Sequence, residues 1–212
     1  MLRYRMRPFA VLLSLLGFLA IPAAAEETYQ IDPVHSTVSF TIRHLISRVQ
    51  GRFGKFQGTI LTDQANPASA KVKAEIDAGS IDTGITDRDN HLRSADFFDA
   101  AKYPKISFES SEATVQSPEK VTLKGNLSMH GVTKPVILEV TGLGFGPGMR
   151  GEARAGFEGK TTLSRKDFGI SWNKPMDAGN LLLGDEVEVT IYLEAVKSAP
   201  PAPPAAAKAS GN

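Results

Sequence analysis

Cysteine is absent from the 212-residue chain. Its absence excludes thiol nucleophiles, Cys-ligated zinc sites, iron–sulfur clusters and disulfides. It also excludes a lipoprotein, because lipidation at a mature N-terminus needs a cysteine there. The folded part of the chain must therefore be held together by its own hydrophobic core.

An excess of charge of one sign is also lacking. The sequence has 24 Lys and Arg against 23 Asp and Glu, for a net charge of +1. Nucleic-acid-binding proteins usually show a clustered basic excess, so this balance argues against that class. The hydrophobic content of 42% is ordinary for a globular protein and argues against wholesale disorder.

Long hydrophobic runs are limited to residues 9–21, a stretch of 13. This is shorter than the roughly 17–25 residues of a membrane-spanning helix, so no stable span is expected. The run follows Arg3, Arg5 and Arg7 and precedes small residues ending at Ala25. This order is typical of a secretory signal peptide, and we expect residues 1–25 to be removed after Ala25. Without them 21 basic side chains face 23 acidic ones, which gives no support for a basic membrane anchor.

The last segment, residues 198–212, reads SAPPAPPAAAKASGN and has no large apolar side chain. It cannot bury enough apolar surface to offset the entropy lost on ordering, so we expect a disordered Pro/Ala-rich tail. The folded body is then residues 26–197, a size that suits one domain.

Alternation of apolar and polar residues is the dominant pattern in this body. Within 186–195, the odd positions 187, 189, 191, 193 and 195 are apolar and the even positions are polar. This period of two predicts a strand with one buried and one exposed face. Seven more strands are predicted on similar grounds, over residues 37–43, 49–61, 71–78, 105–111, 121–129, 134–145 and 149–163.

Turn dipeptides such as His130-Gly131 separate these runs. Long alternating antiparallel strands leave exposed edges unless the sheet closes on itself. The pattern therefore predicts an all-β fold, an eight-stranded antiparallel β-barrel. The interior of such a barrel has room for side chains or for one slim ligand.

Residues 86–93 break the alternation and predict a short helix. Thr86 is placed as the capping residue, acidic residues fill the first turn, and Asp89 and Arg93 have the spacing of an ion pair. Two interpretations remain open for this helix: a lid over one barrel mouth, or a solvated connector.

Patterns that carry catalysis or metal binding are weak. None of the four histidines is spaced from another as a metal ligand pair, so no metal site is predicted. Asp32, His35 and Ser36 are close in sequence, but neighbouring strand residues point to opposite faces. A Gly-x-Ser-x-Gly nucleophile turn is also missing. We assign no catalytic residue.

The aromatic residues are the more informative set. They fill either a solid core or the wall of an apolar tunnel, and composition leaves both open. The residues assigned to such a wall are Phe40, Phe53, Phe56, Phe97, Phe98, Phe108, Phe157 and Trp172.

His44 is a polar residue on an otherwise apolar strand face. It continues the inward-facing set that includes Phe40 and Ile42, and so should lie inside the barrel or at its mouth. It is either a neutral histidine hydrogen-bonded within the core or a contact for the polar head of a ligand. In the second case His91 or Arg93 of the predicted helix would lie nearby.

Several motifs occur in the order found in one known family, and the chain resembles the YceI-like lipid- and polyisoprenoid-binding family over about residues 28–194. The matching segments are 29–36 (YQIDPVHS), 40–44 (FTIRH), 51–53 (GRF), 56–58 (FQG), 82–84 (DTG), 88–99 (RDNHLRSADFFD), 103–104 (YP), 125–136 (GNLSMHGVTKPV) and 164–170 (SRKDFGI).

This resemblance implies a lipocalin-like extended barrel in the bacterial periplasm, often dimeric, whose lumen holds a long isoprenoid or similar lipid. No catalytic reaction is established for the family and no cofactor is implied, although a bound isoprenoid lipid or quinone would be a ligand. We therefore expect a non-catalytic carrier for a quinone tail or a polyprenyl phosphate, with a homodimer as a further expectation.

Two other functions remain open. One is an enzyme acting on an isoprenoid head group, with His44 or His91 as base and Asp96 as its partner. The other is a solid structural barrel that mediates protein contacts, which would hold no extractable ligand.

Overall fold

The computed structural model describes residues 26–176 and 181–198. One helix, α1, spans Thr86–Arg93, and short 3-10 helices span Pro67–Ser69, Ala78–Ser80 and Arg165–Phe168. The described residues form eleven strands: β1 (Glu27–Ile31), β2 (Thr37–His44), β3 (Ser47–Phe53), β4 (Phe56–Thr62), β5 (Lys71–Asp77), β6 (Ile81–Asp82), β7 (Lys105–Ser117), β8 (Lys120–Met129), β9 (Val132–Pro147), β10 (Ala153–Ser164) and β11 (Leu183–Lys197).

These strands form one closed antiparallel barrel with eight strand positions. β1 and β2 both pair with β11, so they act as a single interrupted strand. β3 and β4 form the next position by pairing with β2 and β1, and β6 and β5 follow in the same way. The remaining positions are β7, β8, β9, β10 and β11 in chain order. The predicted eight-stranded all-β barrel is confirmed.

The strand pattern follows the alternation of the sequence where one face is buried. On β2, Val38, Phe40 and Ile42 face the barrel interior, while Thr37 and Arg43 are exposed. The predicted strand over 49–61 is divided into β3 and β4. At this break the N–H of Gly54 donates to the carbonyl of Ser80 at 3.0 Å, which continues the pairing across the interruption.

Three strands extend beyond the sequence-based prediction or start within it. β7 continues to Ser117 because its second half pairs with β8, although most of its side chains there are exposed. β9 continues to Pro147, and β10 begins only at Ala153. A strand that is exposed on both faces has no hydrophobic alternation, so its pairing leaves no mark in the sequence.

α1 lies at one end of the barrel, which we call the α1 end. The β2–β3 turn, the 3-10 helix Arg165–Phe168 and Trp172 also lie at this end. The ring centroids of Trp172 and of His91 on α1 are 4.9 Å apart. The opposite end, called the far end, has the β4–β5 loop, the β7–β8 turn and the β9–β10 turn. The larger hydrophobic core cluster surrounds the α1 end and includes Phe53, Ile81, Phe97 and Phe168.

The helix is where predicted, but two details of its anchoring were wrong. Its N-cap is Ile85, without a side-chain cap, and Thr86 is the first helical residue. Asp89 does not pair with Arg93: its buried carboxylate accepts hydrogen bonds from the N–H and hydroxyl of Thr83, at 2.9 and 2.6 Å. Asp89 therefore anchors the start of α1 to the end of β6.

The predicted signal peptide and residues 199–212 of the predicted tail lie outside the described residues. Ser198, the first residue of that tail, is still attached to the barrel, since its N–H donates to the carbonyl of Thr28 at 2.7 Å. Across residues 26–176 and 181–198, none of the helices combines the length and the apolar character needed to cross a membrane.

Candidate ligand-binding site

An apolar cavity of about 510 Å³ runs inside the barrel. Residues from both barrel ends contribute to its lining: Arg88 and Trp172 at the α1 end, and Gln64 and Phe145 at the far end. Between them the wall consists mainly of Val, Leu, Ile and Phe side chains that face inward from the strands. The barrel is therefore hollow along its axis rather than filled by its own side chains.

Eleven of the twelve residues assigned to ligand binding from the sequence line this cavity. They are Phe40, Ile42, His44, Phe53, Phe56, His91, Phe97, Phe98, Phe108, Phe157 and Trp172. The twelfth, Arg93, does not line it. Its guanidinium donates to the carbonyls of Gly79 and Ile81, each at 2.7 Å, and so attaches α1 to the barrel wall.

The aromatic side chains form two groups along the cavity. At the α1 end the Phe53 ring contacts those of Phe40 and Phe98, with ring centroids 5.8 and 5.7 Å apart. At the far end Phe145 and Phe157 meet edge to face at 6.0 Å. Phe145 was not predicted as a wall residue, because alternation from Val136 and Val140 would place it on the outer face of β9. The register shift opposite Gly156 and Phe157 turns it inward. These rings leave apolar surface at both ends for a long ligand.

Glycine makes room for two of these rings. A Cβ atom at Gly51 would lie only 2.8 Å from Cε1 of Phe40, and one at Gly125 would lie 2.5 Å from Cζ of Phe108. Each ring therefore occupies space that a side chain on the neighbouring strand would otherwise fill. The width of the cavity depends on these pairs.

The polar side chains that line the cavity at the α1 end are basic or neutral. Arg88 donates from Nε to the hydroxyl of Thr83 at 2.7 Å and from Nη2 to its carbonyl at 2.9 Å. No carboxylate among the described residues pairs with Arg88. His44 also lines this end, as does His91, whose Nε2 lies 2.8 Å from Oδ2 of Asp96. The site thus offers hydrogen-bond donors beside an apolar channel.

The far end has the opposite character. The polar side chains that line it belong to Thr62, Asp63, Gln64 and Glu119. An anionic group would be repelled there and attracted to Arg88 at the α1 end. The two ends of the cavity therefore differ in the charge of their lining side chains.

Arg165 is a buried cation beside the cavity, with only 4% of its side chain exposed. Nη1 donates to the carbonyls of Ile170 and Trp172 at 2.9 and 2.7 Å, and Nε donates to that of Gly184 at 2.9 Å. Burial lowers the pKa of Arg165, while Asp185 at 3.3 Å opposes this shift. Its hydrogen bonds fix Trp172 at the mouth, a role that the sequence analysis missed because the partners are backbone atoms.

A second cluster of polar groups lies outside the cavity, at the break between β1 and β2. The hydrogen bond from His35 at 2.8 Å lowers the pKa of Asp32 to about 2, with help from the Val34 N–H and Arg154. Asp32, His35 and Glu194 could together approach a metal ion, but the Arg154 guanidinium already binds both carboxylates.

The sequence neighbours of this cluster do not form a catalytic triad. The Ser36 hydroxyl donates to the carbonyl of Glu194 at 3.2 Å and accepts from its N–H at 3.0 Å. These bonds connect β2 to β11 and leave Ser36 without a hydrogen bond to His35. The cluster therefore closes the interruption between β1 and β2.

Residues 29–195 match the model of the YceI-like domain. The chain belongs to the YceI-like family. A UPF0312 protein of Vibrio cholerae is 39% identical over 169 residues, covering 78% of this chain and 89% of the relative.

Two solved structures resemble this YceI-like barrel. Burkholderia cenocepacia BcnA superposes with a TM-score of 0.69 at 26% identity, covering 77% of this chain and 98% of BcnA. A polyisoprenoid binding domain from Saccharophagus degradans superposes with a TM-score of 0.56 at 18% identity, covering 80% and 98%. At that identity the second comparison supports the fold alone.

Proposed function

We propose that this YceI-like protein is a non-catalytic binding protein for a long-chain isoprenoid lipid, such as a polyprenyl phosphate or a quinone with an isoprenoid tail. The observation that carries the proposal is the apolar cavity of about 510 Å³ along the barrel axis. The Saccharophagus domain, which shares only the fold, is described as binding polyisoprenoids, so a barrel of this fold can accommodate that ligand class.

Transfer of apolar surface from water drives binding in this proposal. Burial contributes roughly 0.8 kcal/mol per CH₂, so one isoprene unit offers about 3 kcal/mol before ordering costs are subtracted. A flexible chain loses conformational freedom in the cavity, and several units are therefore needed for tight binding. The aromatic rings at both ends supply the wall for these units.

The head group lies at the α1 end in this proposal. Arg88, His44 and His91 can donate hydrogen bonds to a phosphate or to the carbonyl oxygens of a quinone. Asp63 and Glu119 at the far end would repel a phosphate, so they favour the same orientation.

Location and assembly are part of the proposal. The basic, apolar and small-residue segments of residues 1–25 support export by a signal peptide, and the periplasm is the compartment that the family resemblance implies. A homodimer stays a prediction. Size-exclusion chromatography with light scattering, on protein recovered from a periplasmic fraction, measures both properties.

The test is mass spectrometry of an organic extract of the purified protein. We expect an isoprenoid lipid in the wild-type extract. Phe40→Asp places a carboxylate on the cavity wall and should abolish loading, whereas Thr37→Asp places the same charge on the exposed face of β2 and should not. Absence of any lipid from folded wild-type protein, or equal loading of both variants, would contradict the proposal.

One observation favours a second candidate, an enzyme acting on the lipid head group. The imidazole of His91 contacts both the cavity and the carboxylate of Asp96, which is the arrangement of an oriented general base. Incubation with prenyl phosphates and analysis of the products distinguishes the two candidates. A binding protein returns the lipid unchanged, and an enzyme yields product that disappears in the His91→Gln variant.

A further inference from the structure

The β2–β3 turn consists of two large aliphatic residues that are both exposed, Leu45 to 37% and Ile46 completely. They connect His44 to Ser47. Two-residue hairpin turns normally contain Asn, Asp or Gly, because these residues accept positive φ angles. Leu45 has a φ of 50°, which is unfavourable for a leucine. The turn therefore keeps apolar side chains at a position where neither burial nor backbone geometry favours them.

Further exposed apolar residues lie beside this turn. The Leu45 N–H donates to the carbonyl of Leu182 at 2.9 Å, and Leu181 pairs with Pro175 in a short bridge. Leu181 and Met176 are themselves partly exposed. We call Leu45, Ile46, Met176 and Leu181 the rim patch.

The rim patch is continuous with the wall of the cavity. His44 precedes the turn, and Leu182 and Leu183 follow Leu181 in the chain, and all three line the cavity at the α1 end. Leu183 also faces His44 in the β2–β11 ladder. Apolar surface thus extends from the barrel interior to its outer rim, and residues 44–46 and 181–183 place no Asp, Glu, Lys or Arg along this path.

Basic side chains accompany the rim patch. Arg43, two residues before Leu45, donates to the carbonyl of Leu45 at 3.1 Å but pairs with no carboxylate of the described residues. Arg88 of α1 likewise pairs with no carboxylate of the described residues. Of the acidic residues of β11 near this end, Asp185 and Glu188 are already paired with basic side chains, and Glu186 is not. Because Arg43 makes no ion pair among the described residues, its guanidinium is available to an anionic surface.

We propose that the rim patch inserts into the interface of a lipid bilayer that carries anionic lipids, and that the lipid enters or leaves through the α1 end while it is docked. Apolar side chains flanked by arginine are the composition of interfacial membrane contacts. Docking also removes the need for a long isoprenoid chain to cross water. The reason for docking rests on the proposed function, but the contact itself can be measured without a bound ligand.

The experiment is co-flotation of the purified protein with vesicles of phosphatidylcholine containing phosphatidylglycerol. Ile46→Asp should reduce the vesicle-bound fraction at least about tenfold, because an aspartate cannot enter the apolar part of the interface. Met149→Asp is the matched control: Met149 is equally exposed, but it lies in the β9–β10 turn at the far end. This variant should bind like the wild type.

A second arm tests the charge. Arg43→Gln should bind anionic vesicles more weakly than the wild type, and the two proteins should bind pure phosphatidylcholine vesicles equally. Lipid retention after loading from detergent is measured in parallel. Retention should not change in Ile46→Asp, because Ile46 does not line the cavity.

Three results would overturn the docking proposal. They are a wild type that does not float with the vesicles, an Ile46→Asp variant that floats as well as the wild type, and a loss of flotation that occurs only in Met149→Asp. A change from dimer to monomer in Ile46→Asp without a change in flotation would assign the rim patch to contact between two copies instead. If flotation behaves as expected but no lipid is retained from detergent, the docking surface stands and the proposed cargo fails.

Discussion

The ring of Phe40 lies directly against the backbone of Gly51, its partner on the neighbouring strand. The methyl group of Thr83 closes the same space from α1's side, since a Cβ at Gly51 would lie 2.9 Å from it. A side chain at residue 51 would therefore have to displace the ring, and the direction open to the ring is the cavity that Phe40 already lines.

Gly51→Ala should narrow the cavity. We expect lipid retention to fall about tenfold, while the free energy of unfolding decreases by about 1–3 kcal/mol, the usual range for overpacking. Mass spectrometry of the extract and chemical denaturation measure the two effects. Gly146→Ala is the control, because no atom lies within 4 Å of a Cβ at that position. Unchanged retention in Gly51→Ala would mean that the Phe40 ring does not limit the ligand.

Arg88 and Arg93 lie on one helix but have different partners, and substitution separates their roles. Arg88→Gln removes a cation from the cavity and should lower the preference for a prenyl phosphate over the corresponding alcohol about tenfold. Arg93→Gln removes the bonds to Gly79 and Ile81 and should destabilise the protein by about 2 kcal/mol, without changing that preference.

Competition between the two lipids for each purified variant measures the preference, and denaturation measures stability. If Arg93→Gln changed the preference while Arg88→Gln did not, Arg93 would be the head-group contact that the sequence first indicated.

This pair also shows what the sequence could and could not predict. Period-two patterns identify the inward faces of β2 and β11, because burial of one face produces the pattern. This alternation and the aromatic content together predicted eleven of the residues that line the cavity. The choice between Arg88 and Arg93 depends on how α1 docks against β6, and that contact is made to backbone carbonyls, which carry no side-chain signal.

The extent of the strands has a similar explanation. The second half of β7 and the end of β9 pair with their neighbours through backbone hydrogen bonds while most of their side chains are exposed, although Phe145 of β9 also lines the cavity. The division between β3 and β4 was not predicted, since apolar residues continue on both sides of Gly54. Backbone pairing without burial leaves the composition of a segment unconstrained.

Arg165 should control the position of Trp172, which is the only tryptophan of the sequence. Arg165→Leu removes the donors for the carbonyls of Ile170, Trp172 and Gly184, and should cost about 3 kcal/mol of stability because buried carbonyls lose their partners. Trp172 would then move toward water, and its fluorescence maximum would shift to longer wavelength.

Lys166→Gln is the control for this experiment. Lys166 pairs with Asp185 at 2.9 Å, but about half of its side chain is exposed, so its removal should change stability by less than about 1 kcal/mol and leave the emission of Trp172 unchanged. Equal spectra for wild type and Arg165→Leu would show that other contacts hold the tryptophan.

Asp32 predicts a dependence of stability on acid. Hydrogen bonds from His35, Val34 and Arg154 lower its pKa from 3.8 to about 2 in the folded protein. A lowered folded-state pKa means that the unfolded chain binds a proton first as the pH falls, so the stabilisation is fully present above about pH 5 and is lost progressively toward pH 2. Because Arg154 and His35 are partly exposed, we expect a contribution of only about 1 kcal/mol.

The measurement compares the unfolding free energy of the wild type and of Asp32→Asn between pH 7 and pH 2. Above about pH 5 the two curves should run parallel, with the wild type more stable, and below it they should converge, because protonation removes from the wild type the charge that the variant lacks throughout. Curves that stay parallel down to pH 2 would show that Asp32 is stabilised by its neutral hydrogen bonds alone. The break between β1 and β2 would then be closed by the bonds of Ser36 with Glu194 rather than by the charges around Arg154.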